Sequence, residues 1–93
     1  MELIINAISK CLEVEKAAIF GSRAMGNYKA GSDVDIAIYG KNVTDKIIIR
    51  LSSFLNEELP LPYYFDIIHY DSIKNQELED HVDTYGKVIY KRG

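Results

Sequence analysis

From Asp33 to Tyr39 the chain reads DVDIAIY, and no other stretch limits the fold so tightly. Val34, Ile36 and Ile38 alternate with Asp33, Asp35, Ala37 and Tyr39, so a period of two sends the branched aliphatics to one side. This pattern predicts a strand with one strongly apolar face, and such a face needs a covering layer. Both flanks supply one. Leu3, Ile4, Ala7, Ile8, Cys11 and Leu12 recur at helical spacing, which predicts an amphipathic helix from Glu2 to Glu13. Ile47, Ile48, Leu51, Phe54 and Leu55 restore that period, and Pro60 and Pro62 stop the second helix. Lys16 to Phe20 reads as a short strand ending at Gly21, Tyr63 to Tyr70 as a third strand, and Lys87 to Lys91 as a closing one. Ser72 or Asn75 can cap a last helix whose apolar face is Leu78, Val82 and Tyr85, and Gly86 suits its C-terminus. The expected architecture is a small α/β domain, a mixed sheet with helices packed on it.

Size and charge narrow the function classes. With 93 residues, 47% of them apolar, the chain can build one domain with a real core but not a catalytic domain beside a separate substrate-binding domain. The formal net charge is −3, and no Lys/Arg cluster is long enough to follow a phosphate backbone, which speaks against nucleic acid as a partner. Cys11 is the only cysteine, so an internal disulfide and a cysteine-based metal cage are excluded. That suits a reducing compartment. The N-terminus lacks a positive n-region, and the apolar runs fall far short of the ~20 residues of a membrane span. A soluble, cytoplasmic protein with no membrane partner is the expectation.

The chemistry concentrates in FGSRAMGNYKAGSDVDIAIYG, residues 20 to 40. Asp33 and Asp35, two apart on a strand, face the same way with side-chain origins roughly 6 to 7 Å apart. Two carboxylates so placed repel each other unless water screens them or a cation sits between them. Hard oxygen donors favour Mg²⁺ or Mn²⁺. Gly21 and Ser22 leave a strand and open a short helix around Ser22 to Gly26, offering backbone N–H groups, a hydroxyl and a helix N-terminus to a phosphate. Gly21 has no side chain to obstruct that approach. Asp66 lies inside the apolar and aromatic run YYFDIIHY, where burial without a partner is expensive. If its strand lies beside the Asp33–Asp35 strand, it can share the cation and take a proton from an attacking hydroxyl.

Other matches are blander. The DVD triplet lacks the glycine and terminal glutamate of an EF-hand loop, and the glycines fit neither a dinucleotide fingerprint nor a P-loop. His69 alternates away from Asp66 and reads as packed or half-exposed, while His81, in EDHVD, reads as part of a solvated face. Tyr28, Tyr39, Tyr63 and Tyr64 could stack on a base or a partner, and core or edge packing explains them equally well.

Gly21-Ser22, ten residues, then Asp33-Val34-Asp35 resembles the signature of the DNA polymerase β-type nucleotidyltransferase superfamily. The fuller string GSRAMG…GSDVDIAIYG and the small size resemble its minimal nucleotidyltransferase branch. The resemblance implies a polymerase β-like nucleotidyltransferase fold, with residues 1–93 as a single minimal domain. It implies that Asp33 and Asp35 bind two divalent ions, Mg²⁺ or Mn²⁺, together with a nucleoside triphosphate, and that Asp66 is the third carboxylate and the base. Gly21 and Ser22 would contact the β- and γ-phosphates; Arg23 is kept for phosphate contact, whereas Met25 stands where many members carry a second arginine. The implied reaction moves a nucleoside monophosphate, AMP from ATP, to a hydroxyl. Larger members hold their acceptor on an added helical domain, and this sequence stops after its closing strand, so the acceptor is expected on another chain. The branch points to a small all-helical HEPN-domain protein encoded nearby, with this chain as its antitoxin and a tyrosine of that partner as the nucleophile. The alternative is a nucleotide-binding, non-catalytic antitoxin or regulatory subunit that occludes its partner; retention of Asp33, Asp35 and Asp66 together favours the enzyme.

Overall fold

Val34–Tyr39 of the alternating segment form one of the two inner strands of a four-stranded sheet. A computed structural model describes residues 2–20, 34–59 and 64–92. In chain order the regular elements are α1 (Glu2–Ser9), β1 (Lys16–Phe20), β2 (Val34–Tyr39), α2 (Asp45–Ser53), β3 (Phe65–His69), α3 (Gln76–Tyr85) and β4 (Lys87–Lys91). The strands lie in the order β3-β2-β1-β4. β1 runs antiparallel to both β2 and β4, whereas β2 and β3 are parallel, which requires the chain to cross over between them through α2. The expected small mixed sheet with packed helices is what the chain forms.

Each face of the sheet follows from strand parity. Val34, Ile36 and Ile38 of β2, Ala17 and Ile19 of β1, and Phe65 and Ile67 of β3 join Ile4, Ala7 and Ile8 of α1 and Ile47 and Leu51 of α2 in the main core. The opposite face carries a smaller cluster in which Val82 of α3 packs on Phe20 and Ala37, with Leu78 and Ile68 at its margin. Helices α1 and α2 thus cover one side and α3 part of the other.

Helix ends show where local sequence decides and where it does not. Thr44 caps α2 by accepting from the Ile47 N–H at 3.4 Å. Past Ser53 the chain widens into a π-helical turn, Phe54–Glu58, which still delivers Leu55 to the core. Pro60 and Pro62, expected to stop this helix, lie outside the described residues. Of the two candidate caps of α3, Asn75 serves, accepting from the Glu77 and Leu78 N–H groups at 2.9 and 3.3 Å. Ser72 ends a 3₁₀ turn, Tyr70–Ser72, instead. Gly86 donates its N–H to the Val82 carbonyl at 2.8 Å, and a Cβ there would stand 2.5 Å from that oxygen, so close approach is what requires glycine.

One boundary corrects the sequence reading. The first helix, expected to reach Glu13, stops at Ser9. Beyond it the chain turns, with the Val14 N–H donating to the Cys11 carbonyl at 3.0 Å. Arg92, from the far end of the chain, donates to the carbonyls of Ser9 at 3.1 Å, Cys11 at 3.4 Å and Val14 at 3.2 Å. A distant side chain thereby satisfies acceptors that a longer helix would have used internally. The third strand is also shorter than the expected Tyr63–Tyr70, running Phe65–His69, with Tyr63 outside the described residues. No described helix is long and apolar enough to cross a membrane.

Candidate active site

Asp35 and Asp66 are direct partners in the parallel ladder of β2 and β3. Paired residues on adjacent strands present their side chains to the same face, roughly 5 Å apart. That face is the one α3 covers only in part, since the neighbours Ile36, Phe65 and Ile67 point into the main core. Asp66 is exposed and Asp35 half-buried, so a polar ligand can reach the row from solvent. Phe20, the last residue of β1, pairs with Asp35 from the other side. Phe20, Asp35 and Asp66 therefore form one row across three strands, at the end of the sheet where β1 gives way to Gly21.

The backbone beneath the row is clamped. The Val34 N–H donates to the Tyr64 carbonyl at 2.8 Å, fixing the entry of β3 against β2. On the outer edge of β3, Asn56 of the π-helical turn accepts from the Phe65 N–H at 2.6 Å and donates to the Phe65 carbonyl at 2.9 Å. Its amide group also reaches the Ser52 carbonyl at 2.9 Å. Asn56 stands in for a missing neighbour strand next to Asp66, filling both hydrogen-bonding groups of an edge residue. Sequence reasoning did not single it out. Its one local signal is that asparagine is a poor helix former in an otherwise helical run.

The donor set suits a hard divalent cation: carboxylate oxygens on adjacent strands, one of them solvent-facing. Among the described residues no group of three His, Cys, Asp or Glu side chains could hold a metal. Asp33, Gly21, Ser22 and Arg23, the other predicted site residues, lie outside the described residues, as does Tyr28. What the structure brings together is Asp35 and Asp66.

Several other titratable side chains make structural contacts. His69 Nε2 lies 2.8 Å from the Gly40 carbonyl and Nδ1 lies 2.9 Å from the Ser72 hydroxyl, which ties the end of β3 to the turn after β2. Its half-buried setting matches the expectation. Tyr39 stacks on Tyr70 at 4.3 Å between ring centroids, with Lys16 Nζ 4.2 Å from the Tyr39 centroid, so packing claims this tyrosine. The Tyr70 hydroxyl donates to Asp83 at 2.6 Å, and this hydrogen bond is the main reason its ionisation is pushed well above the usual tyrosine range. Burial, helped by the negative charges of Asp83 and Asp71, pushes Tyr39 in the same direction. Burial and nearby Glu13 raise the Cys11 thiol, so Cys11 is kept protonated as a small apolar group. His81 departs from the expected solvated face: it is half-buried and meets the Phe20 ring edge-on.

A model of the Polymerase beta, Nucleotidyltransferase family matches residues 2–93, and the chain belongs to that family. Solved structures share its fold. It is similar to one described as a toxin–antitoxin with AMP-PNP: the two are 25% identical, with a TM-score of 0.74 over 94% of this chain and 73% of that one. A mutant toxin–antitoxin MntA-HpeT structure superposes with a TM-score of 0.78 at 19% identity, covering 98% of this chain and 72% of the other. A third is a tri-AMPylated Shewanella oneidensis HEPN toxin in complex with MNT antitoxin, 22% identical, TM-score 0.68, covering 98% and 72%. No curated protein sequence matches the chain.

Proposed function

We propose that this protein, acting as a single minimal domain, is a metal-dependent nucleotidyltransferase that moves AMP from ATP to a tyrosine hydroxyl of a HEPN-type toxin and thereby serves as its antitoxin. The reading is carried by the in-register pair Asp35 and Asp66 at the open end of a sheet from a nucleotidyltransferase family. Support for the nucleotide comes from the similar toxin–antitoxin with AMP-PNP, and for the acceptor from the tri-AMPylated toxin held by an MNT antitoxin.

Asp33 and Asp35 would hold two Mg²⁺ or Mn²⁺ ions, with Asp66 as a further ligand. Bound there, such ions would neutralise the triphosphate and polarise the reacting oxygens. Gly21 and Ser22 contact the β- and γ-phosphates through backbone N–H groups and the hydroxyl, and Arg23 adds a cation. Asp66 takes the proton of the attacking hydroxyl. That oxygen forms a bond to the α-phosphorus while the bond to the bridging oxygen breaks, and pyrophosphate leaves. Asn56 keeps Asp66 at its place on the edge strand by holding the Phe65 main chain.

The test is mass spectrometry of the helical partner after co-expression. Increments of AMP should appear with the wild type and vanish with Asp33→Asn or Asp35→Asn. A partner that is silenced by the Asp33→Asn protein while remaining unmodified would mean occlusion, and would overturn the enzymatic reading.

A further inference from the structure

The carboxylate row continues sideways into aromatic rings. Phe20 pairs with Asp35, so its side chain leaves β1 on the face that carries Asp35 and Asp66. His81 of α3 meets Phe20 edge-on, 6.1 Å between centroids at 76°, and Tyr85 one turn later leans on His81 at 5.0 Å and 48°. Exposure rises along this stair, from 7% at Phe20, through half-buried His81, to 44% at Tyr85. Core packing accounts for Phe20 but not for the outer step, because α3 is anchored to the sheet by Val82 and Leu78.

An exposed aromatic step beside a site for phosphate chemistry suits a nucleobase, whose π-face stacks on aromatic side chains regardless of sequence. Charge sets the direction. Asp80 and Asp83 on the same helix repel a triphosphate but tolerate a neutral base. The phosphate end therefore lies toward Asp35 and Asp66, where cations would offset the charge, and the base lies toward α3.

We infer that His81 and Tyr85, seated on Phe20, hold the base of the nucleoside triphosphate and favour purines by their larger ring area. This rests on the nucleotidyltransferase reading of the adjacent carboxylates. Tyr85 supplies the exposed ring, and His81 braces it against Phe20.

Calorimetric titrations in Mg²⁺ with ATP, UTP and inorganic tripolyphosphate test the inference on the wild type, Tyr85→Ala, Tyr85→Phe and His81→Ala. Tyr85→Ala should lose roughly tenfold in ATP affinity, equivalent to about 1.4 kcal/mol. Its tripolyphosphate affinity should be unchanged, and its preference for ATP over UTP should narrow. Tyr85→Phe should restore ATP binding, since the ring and not the hydroxyl is what stacks. If Tyr85→Ala and His81→Ala bind ATP like the wild type, the base lies elsewhere, while the nucleotidyltransferase reading stands. Equal losses for ATP and tripolyphosphate would mean that the rings only support the fold, which overturns the inference. A wild type that binds neither ligand would overturn both readings.

Discussion

The two faces of this sheet are built to different specifications. On the α1/α2 side, fifteen of the described residues are buried in one continuous cluster, among them Ile8, Ile36, Ile38 and Phe65 with almost no exposure. On the α3 side only Phe20, Ala37 and Val82 form the buried cluster, and the adjacent positions are Asp35 and Asp66. The difference teaches how a small domain can carry carboxylates on an inner strand and on the edge strand beside it. Stability is concentrated on the closed face, so the open face is free to present polar groups to water and avoid the cost of burying them. The carboxylate pair occupies the face that stability does not need.

The sharpest way to break this division is to strike each face in turn. Phe65→Ala should destabilise the fold by about 3–5 kcal/mol, a large part of the stability of a domain this size, read as a lower denaturant midpoint. Asp66→Asn, on the adjacent residue but the opposite face, should leave that midpoint within ~0.5 kcal/mol of wild type. The same change should lower AMP transfer by roughly 10²-fold or more. A large drop in stability with Asp66→Asn would show that the open face is structural after all.

Asn56 sharpens the comparison, because it belongs to the closed side yet supports the open one. Asn56→Ala strands the Phe65 N–H and carbonyl, and should cost about 1–3 kcal/mol in denaturant unfolding. Transfer should fall further than stability alone explains, because Asp66 is the next residue. Transfer that tracks only the folded fraction would reduce Asn56 to an edge cap.

The smallest expected effect lies in the last turn of α3, where Asp83 accepts from the Tyr70 hydroxyl. The folded chain holds the Tyr70 proton more tightly than the unfolded chain, in which tyrosine ionises near pH ~10. The resulting stabilisation is fully present below pH ~10 and is lost as the pH rises through the higher folded value. Asp83→Asn should therefore cost stability at neutral pH, with a gap to wild type that narrows above pH ~10. Unfolding curves across that range check it, and a gap of constant size would separate the hydrogen bond from the ionisation.

Much of the fold was legible because its signals are local. The period-two run of Val34, Ile36 and Ile38 set the core face of β2, and β1 and β4 have the bounds that composition and flanking glycines indicated. What escaped was held by distant partners. Nothing near Ser9 shows that Arg92 will take the carbonyls of Ser9, Cys11 and Val14, so the helical period of the sequence runs on past the end of α1. The apolar setting of Asp66 suggested a partner, but its register with Asp35 depends on a crossover that no short window contains. Asn56 was invisible for the same reason, its bonds to Phe65 being tertiary. His81 read as solvated because its acidic sequence neighbours conceal a contact with Phe20.

The parallel pairing of β2 with β3 also orders events in time. The antiparallel contact of β1 with β2 joins strands that are successive in the chain, whereas Asp35 and Asp66 meet only after α2 and the π-helical turn have been closed over between their strands. Pairings of that kind bear their loop-closure entropy before any contact compensates it, and so they form slowly. A nascent chain complete only through β2 holds half of the carboxylate pair. On the proposed antitoxin reading, competence then arrives as a threshold: an unfinished or misfolded copy is silent, and only the completed fold would modify the toxin.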